Sequence, residues 1–275
     1  MLSQRAERPT SASALELYRA LRRVNPSPYL FLLELDGLAL VGSSPETLVK
    51  LEAPLAAPSS GRAGSARTAV GAADRERLDR LPTLGGWRAS VNPIAGTTAR
   101  GEGDAERLLA SEKDRAEHVM LVDLGRNDLS RVCLPGTVRV QRFLEPERFS
   151  HVTHLVSEVV GELAPDVAPL DLLRACFPAG TVSGAPKVRA MQLISELESY
   201  RRGPYAGAVG YALPDGSFDT CIAIRTIVLA EGVARLQAGA GIVAASDPAA
   251  EHRECLSKLA ALEAAIDLAE EEFCS

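Results

Sequence analysis

The stretch from Phe177 to Met191, FPAGTVSGAPKVRAM, constrains this chain more than any other. An apolar run breaks at Pro178, crosses a turn of small and hydroxyl residues, and enters a helix. Pro186 suits the first helical turn, where its missing N–H would be unpaired anyway. Beyond it Val188, Met191, Ile194 and Leu197 recur at helical spacing. Thr181, Ser183 and Gly184 therefore fall around a helix N-terminus, where free N–H groups and the helix dipole favour an anion. Lys187 adds a positive charge there. Two readings stand: a corner that binds a carboxylate or phosphate, or an ordinary capped helix start. A P-loop is excluded, because the G-x-x-x-x-G-K spacing is missing.

A chain of 275 residues holds one large domain or two small ones. Its net charge of −6, from 30 basic and 36 acidic residues, gives no electrostatic footprint for nucleic acid. The 5 cysteines (Cys133, Cys176, Cys221, Cys255 and Cys274) are scattered, with no CxxC pair, which fits a reduced, cytoplasmic chain. The N-terminal MLSQRAERPT lacks the apolar core of a signal peptide. No apolar run approaches the roughly 20 residues of a membrane span.

Periodicity predicts a helix over 11–24, stopped by Asn25-Pro26-Ser27-Pro28. YLFLLEL and LALVG flank Asp36-Gly37, a pair that supplies the positive φ of a tight hairpin turn. Residues 53–90, rich in Ala, Pro, Ser, Gly and Arg, read as a surface insertion. Ser111 and Asp114 open a helix over 111–124 with Glu117, Met120, Leu121 and Leu124 on one face. Strands are expected at 137–143 and 152–160, and a short helix at 170–176. From Ala206 the pattern is a β-meander with turns at Pro214-Asp215-Gly216 and Glu231-Gly232. Within CIAIRTIVL, Arg225 would share a strand face with Cys221, Ala223 and Ile227, paired with either a protein or a substrate carboxylate. Gly239-Ala240-Gly241 fits a loose dinucleotide pattern but lacks a βαβ unit around it. A last helix over 248–271 repeats Leu256, Leu259, Leu262 and Ile266 as a core stripe.

Five motifs occur in one order: PIAGT (93–97), RAEHVMLVDLGRNDLSRV (115–132), FSHVTHLVSEVVGEL (149–163), GAVGYALPDGSFDTCIAIRT (207–226) and AGAGIVAASDPAAE (238–251). With the opening stretch they make the chain resemble the chorismate-binding domain of the anthranilate synthase large subunit. Relatives of that kind include aminodeoxychorismate, isochorismate and salicylate synthases. The resemblance covers nearly the whole chain and lapses over 53–90, where relatives cross by a short hairpin. Asn92 stands where relatives often have Arg.

The resemblance implies an α+β fold of two packed, largely antiparallel sheets flanked by helices, a chorismate-utilising enzyme fold with the site between the sheets. It implies that Glu117 and Glu251 hold Mg²⁺, a hard cation suited to carboxylate oxygens; Glu254, one turn on, is the neighbour most easily confused with Glu251. It puts His154 at the position implicated in aromatisation and pyruvate loss, and Glu46 at that of the general acid. A carboxylic acid serves there at neutral pH only if burial or a negative neighbour raises its pKa. Tyr211, Arg225, Gly239 and Gly241 match chorismate-binding positions, with Thr181 and Lys187 in the same shell. Lys258 matches the lysine that follows the metal glutamate. His151 and His154, three apart in a strand, would point to opposite faces and share no metal.

The expected activity is chorismate amination and pyruvate loss to give anthranilate, with ammonia from a glutamine amidotransferase subunit. A sister chorismate enzyme, a non-catalytic chorismate-binding remnant and a ligand-free interaction protein are the rivals. Ala95 argues against aminodeoxychorismate synthase, whose counterpart loop commonly carries a lysine nucleophile. The resemblance also implies that the start of the first strand and the tryptophan-binding regulatory region lie outside these 275 residues, so weak, tryptophan-insensitive activity is expected.

Overall fold

A computed structural model describes residues 1–54, 86–148, 152–244 and 246–273. The chain divides into two compact units. The first comprises Met1–Glu46, Pro178–Ala208 and Cys221–Ser275; the second comprises Thr47–Phe177 and Val209–Thr220.

The first unit is built on a five-stranded sheet in the order β1-β12-β11-β3-β2. Its strands are β1 (Leu2–Pro9), β2 (Tyr29–Leu35), β3 (Leu38–Ser44), β11 (Thr226–Ala230) and β12 (Val233–Ala240). β2 and β3 form the expected hairpin, with Leu35 opposite Leu38 and Gly37 at φ +77°. β1 pairs antiparallel with β12, Ser3 opposite Gly239. Helix α1 (Ala14–Val24) starts at a full capping box: Ser13 and Glu16 satisfy each other's backbone N–H. Leu17 and Leu21 of α1, Val41, Ile227 and Leu236 of the sheet, and Leu259, Leu262 and Ile266 of the C-terminal helix meet in one core. Each such side chain contributes about 1.5–3 kcal/mol on full burial.

The second unit holds a seven-stranded sheet, ordered β6-β8-β5-β4-β10-β9 with β7 paired to β8. These are β4 (Thr47–Glu52), β5 (Arg88–Val91), β6 (Ile94–Ala99), β7 (Arg139–Arg148), β8 (Val152–Glu162), β9 (Ala208–Ala212) and β10 (Phe218–Ile222). Helices α2 (Asp104–Ala110), α3 (Glu112–Ser130) and α4 (Pro169–Cys176) belong to it. α3 lays Leu121, Val122 and Leu129 on the sheet, and Ser111 caps its start by accepting the Asp114 N–H.

The expected α+β fold of largely antiparallel sheets is present, with five local differences. The meander after Ala206 is split: β9 and β10 belong to one sheet, β11 and β12 to the other. Arg225 consequently lies not within a strand but at the handover between β10 and β11, with φ +51°. Residues 86–90 are not insertion, because Trp87, Ala89 and Ser90 are buried and β5 sits inside the sheet; positions 55–85 of that expectation lie outside the described residues, as does His151. In the final helix α6 (Pro248–Phe273), Leu256 is exposed, and Cys255 takes its place in the stripe four residues before Leu259. Helix α5 (Lys187–Leu197) buries none of its residues, so Val188, Met191 and Leu197 are exposed despite their helical spacing.

Among the described residues no helix is long and apolar enough to cross a membrane. The four described cysteines, Cys133, Cys176, Cys221 and Cys255, are buried and form no disulfide.

Candidate active site

The sequence-derived site residues divide between the units. Glu117, His154 and Tyr211 belong to the second; Glu46, Thr181, Lys187, Arg225, Gly239, Gly241, Glu251 and Lys258 belong to the first.

In the second unit the PIAGT segment forms the start of β6. Gly96 bulges out of register there with φ +72°, between Ala95 opposite Leu155 and Thr97 opposite His154. A Cβ at Gly96 would stand 3.2 Å from Cβ of Asp114, so the loop lies directly against the first turn of α3. Its carbonyl accepts a hydrogen bond from His154 Nδ1 at 3.0 Å. A carbonyl only accepts, so the neutral ring carries its proton on Nδ1 and presents a lone pair at Nε2. Glu117 follows Asp114 by one turn and is half-buried.

The segment after PIAGT is fastened by Asp104. Its buried carboxylate receives Arg148 Nη2 at 2.8 Å, the Thr153 hydroxyl at 2.8 Å and the Gly101 N–H at 3.4 Å. The Arg148 guanidinium, then Thr153, hold this carboxyl well below the usual carboxylate range. Thr153 precedes His154 on β8, so Asp104 braces the strand that carries the histidine. Tyr211 is exposed on β9, the last strand of the sheet order.

In the first unit, Glu46 is buried at the end of β3, and its carbonyl accepts the Ile222 N–H at 3.0 Å. Arg225 is held by its own backbone: its carbonyl accepts the Ser43 N–H at 3.1 Å while φ stays at +51°. A left-handed arginine costs on the order of 1 kcal/mol or more and persists only where its surroundings over-determine it. Burial lowers the pKa of its guanidinium, against the opposing influence of Tyr205 and Glu254. Tyr205 is buried, and burial pushes its phenol up. Its hydroxyl lies 3.2 Å from where a Cβ at Gly239 would be, and the Leu2 carbonyl lies 2.6 Å from the same point. Only glycine fits there. Lys258 donates to the Gly239 carbonyl at 2.8 Å and to Glu254 at 2.5 Å. Gly241, just past β12, is half-buried.

Thr181 sits in a single 3₁₀ turn, Gly180–Val182, with its hydroxyl oxygen buried and without a partner among the described residues. Next to it, the Val182 carbonyl accepts Arg202 Nη1 at 2.6 Å, and Arg202 stacks on Tyr205. The Thr181 turn is thus linked to the Tyr205–Gly239 corner. Lys187 opens α5, and Glu251 is buried in the first turn of α6.

Two residues escaped the sequence reading. Tyr205 lies against Gly239 and acts electrostatically on Arg225; an aromatic hydroxyl preceding a run of small residues was its only signal. His118 is buried on α3, bonded through Nε2 to Ser157 Oγ at 2.7 Å, and burial lowers its pKa to about 4. A polar residue on the sheet-facing side of an apolar helix was the signal there.

An α+β chain with sheets of this order, a bulged PIAGT segment under a strand histidine, and an arginine–tyrosine–lysine corner around a strand glycine defines a chorismate-utilising class. A family model described as chorismate binding enzyme matches residues 1–60 and 77–264, and the chain belongs to that family. It is 49% identical over 279 residues to anthranilate synthase component 1 of Geobacillus stearothermophilus, covering 99% of this chain and 48% of that protein. It thus spans about half the length of that curated relative. It is similar to the crystal structure of anthranilate synthase component I from Streptococcus pneumoniae, with TM-score 0.77 and 39% identity over 95% of this chain and 52% of that one. A putative 2,3-dihydroxybenzoate-specific isochorismate synthase from Bacillus anthracis gives TM-score 0.75 at 28% identity, over 97% of this chain and 66% of that one.

Proposed function

We propose that this chain carries the chorismate site of an anthranilate synthase and, supplied with ammonia by a glutamine amidotransferase subunit, converts chorismate to anthranilate and pyruvate in the tryptophan pathway of the cytoplasm. The observation that carries the reading is the Arg225 corner. A strained, half-buried arginine under the electrostatic influence of Tyr205, whose hydroxyl lies against the Gly239 backbone, suits a small, rigid carboxylate, and the unpartnered Thr181 hydroxyl suits an oxygen-rich ligand.

Arg225 and Tyr211 hold the enolpyruvyl end, with Tyr205 supporting Arg225. Glu46, already buried, protonates the ring hydroxyl as it leaves, acting as a general acid. His154, its tautomer fixed by Gly96, acts in the later loss of pyruvate. Lys187 and Gly241 complete the substrate shell. Ammonia attacks from solution or from the partner subunit.

Magnesium fits the residues present. The candidate donors are carboxylate oxygens, which suit a hard cation that keeps most of its waters. Glu117 would contribute one oxygen. On α6, Glu251, buried in the first turn, would contribute another, with Glu254, bonded to Lys258, as its neighbour one turn on. When bound, Mg²⁺ supplies positive charge to the ring carboxylate of the substrate.

The test is a steady-state assay of the purified chain with chorismate, Mg²⁺ and ammonia, reading anthranilate fluorescence and identifying products by chromatography. Mg²⁺-dependent anthranilate is expected. Isochorismate or salicylate as the product would move the chain to a sister activity, and absence of chorismate binding would remove the enzyme reading.

A further inference from the structure

Ser157 is completely buried on β8 and ties three elements together. Its backbone N–H donates to the Pro93 carbonyl at 3.2 Å, at the head of the PIAGT segment. Its hydroxyl oxygen accepts the N–H of Leu144 at 2.9 Å, where β7 is bulged and Leu144 takes φ +53°. The same oxygen bonds His118 Nε2 at 2.7 Å. His118 is also completely buried, its Nδ1 has no partner among the described residues, and it immediately follows Glu117 in α3.

This bond joins the apolar contacts of Leu121, Val122 and Leu129 in holding α3 on the sheet. Two turns on, a Cβ at Gly125 would meet Val91 Cγ2 at 2.9 Å, so the helix is pressed onto β5 there by the absence of a side chain. The Gly125 contact sets the depth of the helix but, being apolar, not its rotation. The His118–Ser157 bond is directional and sets rotation and register beside Glu117. A buried polar pair of this kind is retained at a cost in desolvation that an apolar pair would not incur. Here its geometric output is the position of one carboxylate and of the loop under His154.

We propose that His118 and Ser157 are positioning residues: their hydrogen bond holds the N-terminal half of α3 in the register that aims the Glu117 carboxylate at the metal. The inference rests on the reading of Glu117 as a metal carboxylate. Neither residue touches substrate or metal. Their loss acts through Glu117, as loss of outer partners of metal ligands does elsewhere, typically by about 10–100-fold in metal affinity.

The test uses the full chain with Mn²⁺ as a paramagnetic probe in the presence of chorismate, Glu117→Gln as control, and melting temperature measured in parallel. Ser157→Ala is expected to weaken Mn²⁺ binding by about 10-fold or more, and to raise the Mg²⁺ half-saturation of turnover by a similar factor, with kcat at saturating metal nearly unchanged. His118→Gln, whose amide can still bond Ser157 Oγ, should bind Mn²⁺ like the wild type, while His118→Leu should not; this pair gives the same contrast if Ser157→Ala fails to fold. Equal Mn²⁺ affinity in Ser157→Ala and wild type, or equal loss in the Gln and Leu variants, overturns the positioning role alone. A wild-type chain that binds Mn²⁺ no better than Glu117→Gln overturns the metal assignment and this inference with it.

Discussion

The Lys258 ammonium bridges the Gly239 carbonyl, at 2.8 Å, and the Glu254 carboxylate, at 2.5 Å, tying α6 to the end of β12. Lys258→Met keeps the apolar stem and deletes both bonds. The ion pair to half-exposed Glu254 is worth about 0–1 kcal/mol and the carbonyl bond about 1 kcal/mol, so stability should fall only slightly. Chorismate KM should rise by about 10-fold or more, since a loss near 1.4 kcal/mol is tenfold. Calorimetry beside steady-state kinetics separates the two; a large loss of stability with unchanged KM would make Lys258 a structural tie only.

The two α6 carboxylates can be ranked by experiment. Glu251→Gln is expected to raise the Mg²⁺ half-saturation by at least about 10-fold, and Glu254→Gln by distinctly less. Magnesium titrations of both variants at fixed chorismate decide. The opposite ranking moves the metal role to Glu254.

Asp104 predicts an acid signature. Its folded carboxyl lies below the ordinary value, so the stability it contributes is fully present above the unfolded pKa of about 3.9 and is lost as pH falls through the folded value. Asp104→Asn should therefore melt below the wild type at pH 7. The gap should stay constant down to about pH 5 and close in more acidic solution. Melting curves of both chains across pH check this, and a gap that widens on acidification would contradict the assignment.

The β4–β5 register has a practical corollary. Glu52 lies opposite Arg88 and Leu51 opposite Ala89, so the chain ends flanking 55–85 are already at hairpin distance. Replacing 55–85 with a short turn should leave the melting temperature within a few degrees, because loop length changes closure entropy only slowly. A collapse of the cooperative transition would mean that the segment is packed.

What could be read from the sequence was local. The Asp36-Gly37 hairpin, the start of α1 and the extent of α6 each depend on residues within a few positions of one another. Motif order carried the family and most of the candidate residues with it. What failed was non-local. Nothing near Arg225 says that the chain changes sheets between Ile222 and Thr226, so a strand face was assumed for it. Val188 and Leu197 have the spacing of core residues, yet spacing names a shared face without saying whether anything covers it. His118 required knowing that Ser157, on a distant strand, would meet it.

The pairing of β1 with β12 bears on how the chain is made. Residues 2–9 leave the ribosome long before their hydrogen-bonding partners, residues 233–240. At about 5–20 residues per second, the opening strand waits on the order of ten seconds or more with its ladder unfilled. The five-stranded sheet is thus completed only once β12 has been made, which makes the nascent chain a client for holding chaperones and makes truncation in or before β12 more damaging than its length suggests.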